Sequence, residues 1–168
     1  MTEPNGNLEL TRRYRFSASH RLDTPALSAE ENKRLYGKCN NPYGHGHDYV
    51  LDVTVEGPVD ATGQVADRRA LDALVNEKVL QRLDHKNLSK DVGALNNVVA
   101  TTENLAGAIR SALAEDWPLQ ARLARVRISE TDRNVFELEV VASRDQAALA
   151  PRERLNRIRN VFEREIRK

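Results

Sequence analysis

The chain has 168 residues, 40% of them hydrophobic and 30% charged, with a formal net charge of +1. That length suits one domain with an ordinary core, and the near-neutral charge gives no global attraction to nucleic acid or to an anionic membrane. The single cysteine forbids an internal disulfide, and no stretch approaches the roughly 20 apolar residues of a membrane span, so a cytoplasmic protein without a signal peptide is expected.

Residues 8–20, LELTRRYRFSASH, alternate. Leu8, Leu10, Tyr14, Phe16, Ala18 and His20 share one parity, while Thr11, Arg13, Arg15, Ser17 and Ser19 take the other. Period two reads as a half-buried strand. Ser28 followed by Glu31 is a capping-box pattern that opens a short helix, with Gly37 placed to end it. A second strand starts near Gly44 and puts Tyr49, Leu51, Val53 and Val55 on one face. GPVDATG is a turn, and Asp67 caps a helix over 67–83 with Leu71, Leu74, Val75, Val79 and Leu83 as its apolar stripe.

Residues 84–100 read as a loop, and a helix follows from Thr102. ARVRISE and NVFELEVVA are two strands joined by the turn TDRN. The order β-β-α-α-β-β predicts an α+β fold, a four-stranded antiparallel sheet with helices on one face. A basic, amphipathic helix over 151–167 closes the chain, with Leu155, Ile158, Phe162 and Ile166 as its stripe. The division expected is a domain over 1–143 and a helical extension over 144–168.

The chemistry gathers in GKCNNPYGHGHDY. Residues i and i+2 of a strand point the same way, so His45 and His47 share the apolar face, and His20 ends its own strand on the apolar parity. Three neutral imidazoles suit Zn²⁺ and leave a coordination position open. The glycines at 44 and 46 keep the opposite face clear and let the backbone bend. With Cys39 as a fourth ligand the site would instead be closed and structural, and the spacing alone leaves both open. Lys38 beside Cys39, together with a cation at the histidines, would favour the thiolate, a potential base or nucleophile. Asp84 precedes His85 and can orient its ring. Glu130 falls on the apolar parity of Val126 and Ile128, where a carboxylate needs a partner and can grip two adjacent N–H donors. Thr101, Thr102 and Glu103 stand at a helix start, where capping alone would account for them.

Together FSASHRL, GKCNNPYGHGHDY, LDHKNL, TTENLA and ISETD, in this order from about Tyr14 to Leu138, resemble the 6-pyruvoyl-tetrahydropterin synthase family. The resemblance implies a tunnelling fold whose subunits join through their sheets into trimers and stack into a hexamer, with active sites between subunits. It implies a zinc lyase that takes 7,8-dihydroneopterin triphosphate to 6-pyruvoyl-tetrahydropterin and triphosphate. By the same resemblance His20, His45 and His47 hold zinc, Cys39 is the general base, and Asp84 with His85 is a proton relay. Glu130 anchors the pterin, with Glu103, Thr101 and Thr102 as secondary contacts. A related 6-carboxy-tetrahydropterin synthase of the queuosine pathway uses the same substrate with a shorter cysteine motif. The five residues between Cys39 and His45 therefore favour the pyruvoyl product. The remaining alternative is a pterin-binding or structural-zinc protein without turnover, against which the presence of Cys39, Asp84 and His85 counts.

Overall fold

The structure is a computed structural model that describes residues 6–140. Its frame is a pair of long strands, β1 (Leu8–His20) and β2 (His45–Gly57). They pair antiparallel over their whole length, from Leu8 opposite Gly57 to His20 opposite His45. The alternation seen in the sequence produces this directly. Phe16, Ala18, Tyr49, Leu51, Val53 and Val55 are all buried on one face. Further along the chain, β4 (Arg122–Ser129) pairs antiparallel with β2, and β5 (Val135–Glu139) with β4. Val126 and Ile128 extend the same apolar face.

The sheet has a fifth strand where a loop was expected. β3 (Lys86–Asn87) lies parallel to β1 against Ala18 and Ser19, giving the order β3-β1-β2-β4-β5. The sheet is therefore mixed rather than wholly antiparallel. Two residues are too few to show any periodicity, so this strand had no sequence signal. Tertiary contacts fix it: fully buried Leu88 anchors the segment, and its N–H donates to the Ser19 carbonyl at 2.7 Å.

Helices cover the apolar face of the sheet, except the first, none of whose apolar side chains joins the core. α1 (Ala29–Tyr36) carries the expected capping box between Ser28 and Glu31, and Gly37 leaves it at φ +52°. α2 (Arg68–Val75) is capped by the Asp67 carboxylate, widens through one π turn at Asn76–Leu80, and ends in the single turn α3 (Gln81–Leu83). Leu71, Val75, Val79 and Leu83 are buried along that run, as the apolar stripe predicted, while Leu74 of that stripe is only half-buried and stays outside the core. α4 (Thr102–Ala114) buries Leu105, Ala106, Ile109 and Leu113 against the same core.

The other face of the sheet carries charge. Asp52, 5% exposed, receives both Nε and Nη2 of Arg13, at 2.7 and 2.9 Å, and Nη1 of Arg127 at 3.2 Å. The expected basic helix over 151–167 and the boundary between 143 and 144 lie outside the described residues.

Candidate active site

Three imidazoles meet where β1 ends and β2 begins. His20 is the last residue of β1, His45 faces it across the ladder as the first of β2, and His47 follows on the same side. Their nearest ring nitrogens all lie within 4.8 Å of one another. Gly44 makes the junction possible. It sits at φ +70°, and a Cβ there would come within 2.6 Å of the His20 carbonyl oxygen. Gly46 is different: a Cβ at that position would meet only the Ala18 oxygen, at 3.8 Å. The expectation that both glycines are needed holds for Gly44 alone.

The donor set fits a metal ion. His20 Nδ1 lies 3.0 Å from the Ala100 carbonyl, which can only accept, so Nδ1 holds the proton and Nε2 presents a lone pair. That Nε2 is 3.3 Å from Nε2 of His45. His47 Nε2 is buried with no hydrogen-bond partner. Burial lowers the pKa of His20 and also of His45, and the neighbouring imidazoles reinforce both shifts, so neutral rings are favoured. Bare, converging, neutral imidazole nitrogens are what a divalent transition metal binds. Cys39 stands outside this donor set.

Cys39 rides on a 3₁₀ turn, Gly37–Asn40, held beside the site from two directions. Its carbonyl accepts from Leu22 N at 2.8 Å, and Asn40 Nδ2 donates to the Leu22 carbonyl at 2.7 Å. Burial pushes the Cys39 thiol up, the Glu130 charge adds to this, and Lys38 opposes it only weakly. Lys38 does favour the thiolate, as expected, but in the chain without a bound cation desolvation outweighs that exposed ammonium.

Glu130, just past β4, turns into the cluster. Its Oε1 lies 3.6 Å from His47 Nε2 and 3.9 Å from His20 Nε2. With only 12% of its side chain exposed, the carboxylate needs donors. It accepts from the Thr102 hydroxyl at 2.9 Å and, weakly, from Asn134 Nδ2 at 3.4 Å. Thr101 behaves as a cap, its hydroxyl accepting from Asn104 N at 3.4 Å. Glu103 is exposed and lines a surface groove with Leu95, Val98 and Asn104, away from the histidines.

Asp84 and His85 form their pair, but at the outer edge of β1. Asp84 Oδ1 accepts from Ser17 N at 2.9 Å, and His85 N donates to the Ser17 carbonyl at 2.7 Å. The two side chains approach to 3.6 Å, with the imidazole 83% exposed at a backbone φ of +58°. Neither hydrogen-bonds to the three histidines within this chain. Two participants escaped the sequence reading. Asn134 looked like plain turn chemistry. Tyr49, two residues beyond His47 on the same parity, looked like core, and that parity was the available signal.

The model of the 6-pyruvoyl tetrahydropterin synthase family matches residues 9–140. A 6-pyruvoyl tetrahydrobiopterin synthase of Homo sapiens is 48% identical over 128 residues, covering 76% of this chain and 88% of the relative. One from Poecilia reticulata is 47% identical over 142 residues, covering 80% of this chain and 96% of the relative. The solved structure of Caenorhabditis elegans 6-pyruvoyl tetrahydropterin synthase superposes with a TM-score of 0.75 at 38% identity, over 83% of this chain and 100% of that one.

Proposed function

Because this chain belongs to the 6-pyruvoyl tetrahydropterin synthase family, we propose that it is a zinc lyase that converts 7,8-dihydroneopterin triphosphate to 6-pyruvoyl-tetrahydropterin and triphosphate. The observation that carries this reading is the open cluster of His20, His45 and His47 with the Glu130 carboxylate at its rim. These histidines would hold the zinc, which supplies Lewis acidity toward the side-chain hydroxyls of the substrate.

The protein groups divide the remaining work. Glu130 presents two oxygens to adjacent N–H donors of the pterin ring. Thr102 fixes that carboxylate, and Thr101 and Glu103 serve as more distant pterin contacts. Cys39 is the general base for the carbon-bound proton, and His85, oriented by Asp84, returns a proton. No redox cofactor is needed, since protons move without net oxidation. The five-residue gap between Cys39 and His45, and the pyruvoyl name of relatives near half identity, favour the pyruvoyl product.

Asp84 and His85 stand apart from the histidines of their own chain, which supports a site completed by a neighbouring copy. The sheet leaves room for one: among the described residues, β1 bonds to β3 only at Ala18 and Ser19. We therefore place the chain in a homo-oligomer, a hexamer made of two trimers. The single cysteine supports a cytoplasmic location, and among the described residues no helix is long and apolar enough to cross a membrane.

Incubation of the purified protein with 7,8-dihydroneopterin triphosphate tests this. Triphosphate with a pyruvoyl-pterin is the expected outcome. Acetaldehyde with a carboxy-pterin would move the assignment to the carboxy-pterin branch. Absence of turnover in a folded, metal-loaded oligomer would remove the enzymatic reading.

A further inference from the structure

We propose that Tyr49 is a positioning residue for Glu130, its phenol donating the hydrogen bond that orients the carboxylate toward a bound pterin. The inference rests on the pterin reading above and deepens it.

Tyr49 is 0% exposed, and among the described residues its buried hydroxyl has no partner at full hydrogen-bond distance, although the Thr102 hydroxyl, itself bonded to Glu130, lies close enough to act on it. The ring itself is well used: it stacks on Phe16 at 5.1 Å and 17°, and its centroid is 5.7 Å from that of His47. Phenylalanine would make those contacts equally well. The oxygen alone is unexplained, and an orphaned buried hydroxyl costs about 1–3 kcal/mol.

The sheet register points to its partner. Val50 and Ser129 are the last pair of the β2–β4 ladder, and Tyr49 and Glu130 are the residues that follow it on either side, on the parity of the site's face. Such cross-strand neighbours have Cβ atoms roughly 4.5–5.5 Å apart. A carboxylate offers about four lone-pair positions. In Glu130 the Thr102 hydroxyl takes one at 2.9 Å, and the second oxygen has only the 3.4 Å contact from Asn134. The group is thus fixed on one side and loose on the other, and the Tyr49 phenol, near enough to feel the Glu130 charge and the Thr102 hydroxyl, is the donor without a full hydrogen bond. On this proposal, rotation of the Glu130 carboxylate toward Tyr49 supplies the missing bond and pins both of its sides. Because the phenol oxygen is inaccessible, its action on a ligand passes through Glu130.

Tyr49→Phe removes the oxygen and keeps the ring. Binding of 7,8-dihydroneopterin, which lacks the leaving group, is read by titration calorimetry alongside zinc content, KM and kcat. Loss of one hydrogen bond predicts about tenfold weaker binding and a similar rise in KM, with kcat changed much less. Zinc content should be unaltered and thermal stability equal or higher, since an orphan donor has gone. In a Glu130→Gln background the same substitution should add little further loss of affinity. Unchanged binding and KM would reduce Tyr49 to a core residue, and an additive effect in the Glu130→Gln background would show that it does not act through Glu130. Loss of zinc would shift its role to His47, and each of these results overturns the proposal. If the unsubstituted protein fails to bind dihydroneopterin, the pterin reading itself falls; if it binds and Tyr49→Phe binds equally, only the role of Tyr49 does.

Discussion

Asp52 shows how a single residue can carry energetic weight away from the site. It sits in the middle of β2 with its side chain 7% exposed, held by Arg13 and Arg127. The Arg13 guanidinium, helped by Arg127, lowers the Asp52 pKa below its ordinary value of 3.8, against the opposing effect of burial. A carboxyl with a folded pKa below its unfolded one stabilises the fold fully above the unfolded value. That contribution disappears as pH falls through the unfolded value to the folded one. The arginine side chains are 60% and 40% exposed, which discounts the pair for solvent screening. Asp52→Asn should therefore cost about 1–2 kcal/mol at neutral pH. The deficit should begin to shrink below roughly pH 4, where the carboxyl of the unfolded chain takes up its proton while that of the folded chain is still held ionised. Denaturant unfolding at fixed protein concentration, at neutral pH and at pH 3.5, reads both effects; a pH-independent deficit would mean packing, not charge, is lost. The parity of Asp52 was legible in the sequence as the solvent side of the strand. Its burial was not, because arginine stems from two other strands cover it. The raised Cys39 thiol escaped for the same reason, since desolvation depends on neighbours that are distant in sequence.

At the scale of elements, the site exists because two strands end and begin at the same point. The histidines were readable from period-two parity, but whether Cys39 joined them as a fourth ligand was not. What parity could not supply was the contact between the two ends, which Gly44 alone allows. Gly44→Ala forces a Cβ against the His20 carbonyl at a backbone angle that side chains rarely adopt. It should destabilise the protein by more than about 1 kcal/mol and lower the metal content by spreading His20 from His45. Gly46→Ala is the control: it meets only an ordinary contact and should leave the melting temperature and metal content near wild type. Calorimetry and elemental analysis of the two variants decide the matter, and equal behaviour would mean that Gly44 is not the hinge of the site. α4 has a double role of the same kind. Capping alone would account for its first turn from sequence, and Thr101 is a cap, while Thr102 one residue later bonds the Glu130 carboxylate. No local pattern separates the two, because the difference lies in where β4 delivers Glu130. β3 and the π turn within the α2–α3 run were invisible for a related reason: tertiary packing shapes both, and neither has a periodicity of its own.

For the whole molecule, the unequal placement of the proposed catalytic groups is the informative fact. The metal-binding histidines and Glu130 meet within one chain, with Cys39 held nearby, while Asp84 and His85 sit on the far edge of β1 with the imidazole 83% exposed. An exposed Asp–His pair beside a largely free strand edge is poorly used by its own chain and well placed for a neighbour. In a closed ring of copies every site would then take Cys39 from one chain and His85 from the next. Cys39→Ala and His85→Ala should each abolish most turnover while keeping metal, since neither belongs to the three-histidine set. If the two variants are dissociated, mixed in equal amounts and reassembled, about a quarter of the sites should combine an intact Cys39 with an intact His85, by random assortment around a symmetric ring. Specific activity should recover to about that fraction of wild type. Recovery shows that the groups come from different chains. A mixture no more active than its parents, in oligomers shown to have exchanged subunits, would mean that each chain completes its own site and that the edge pair serves only to tie β3 to β1.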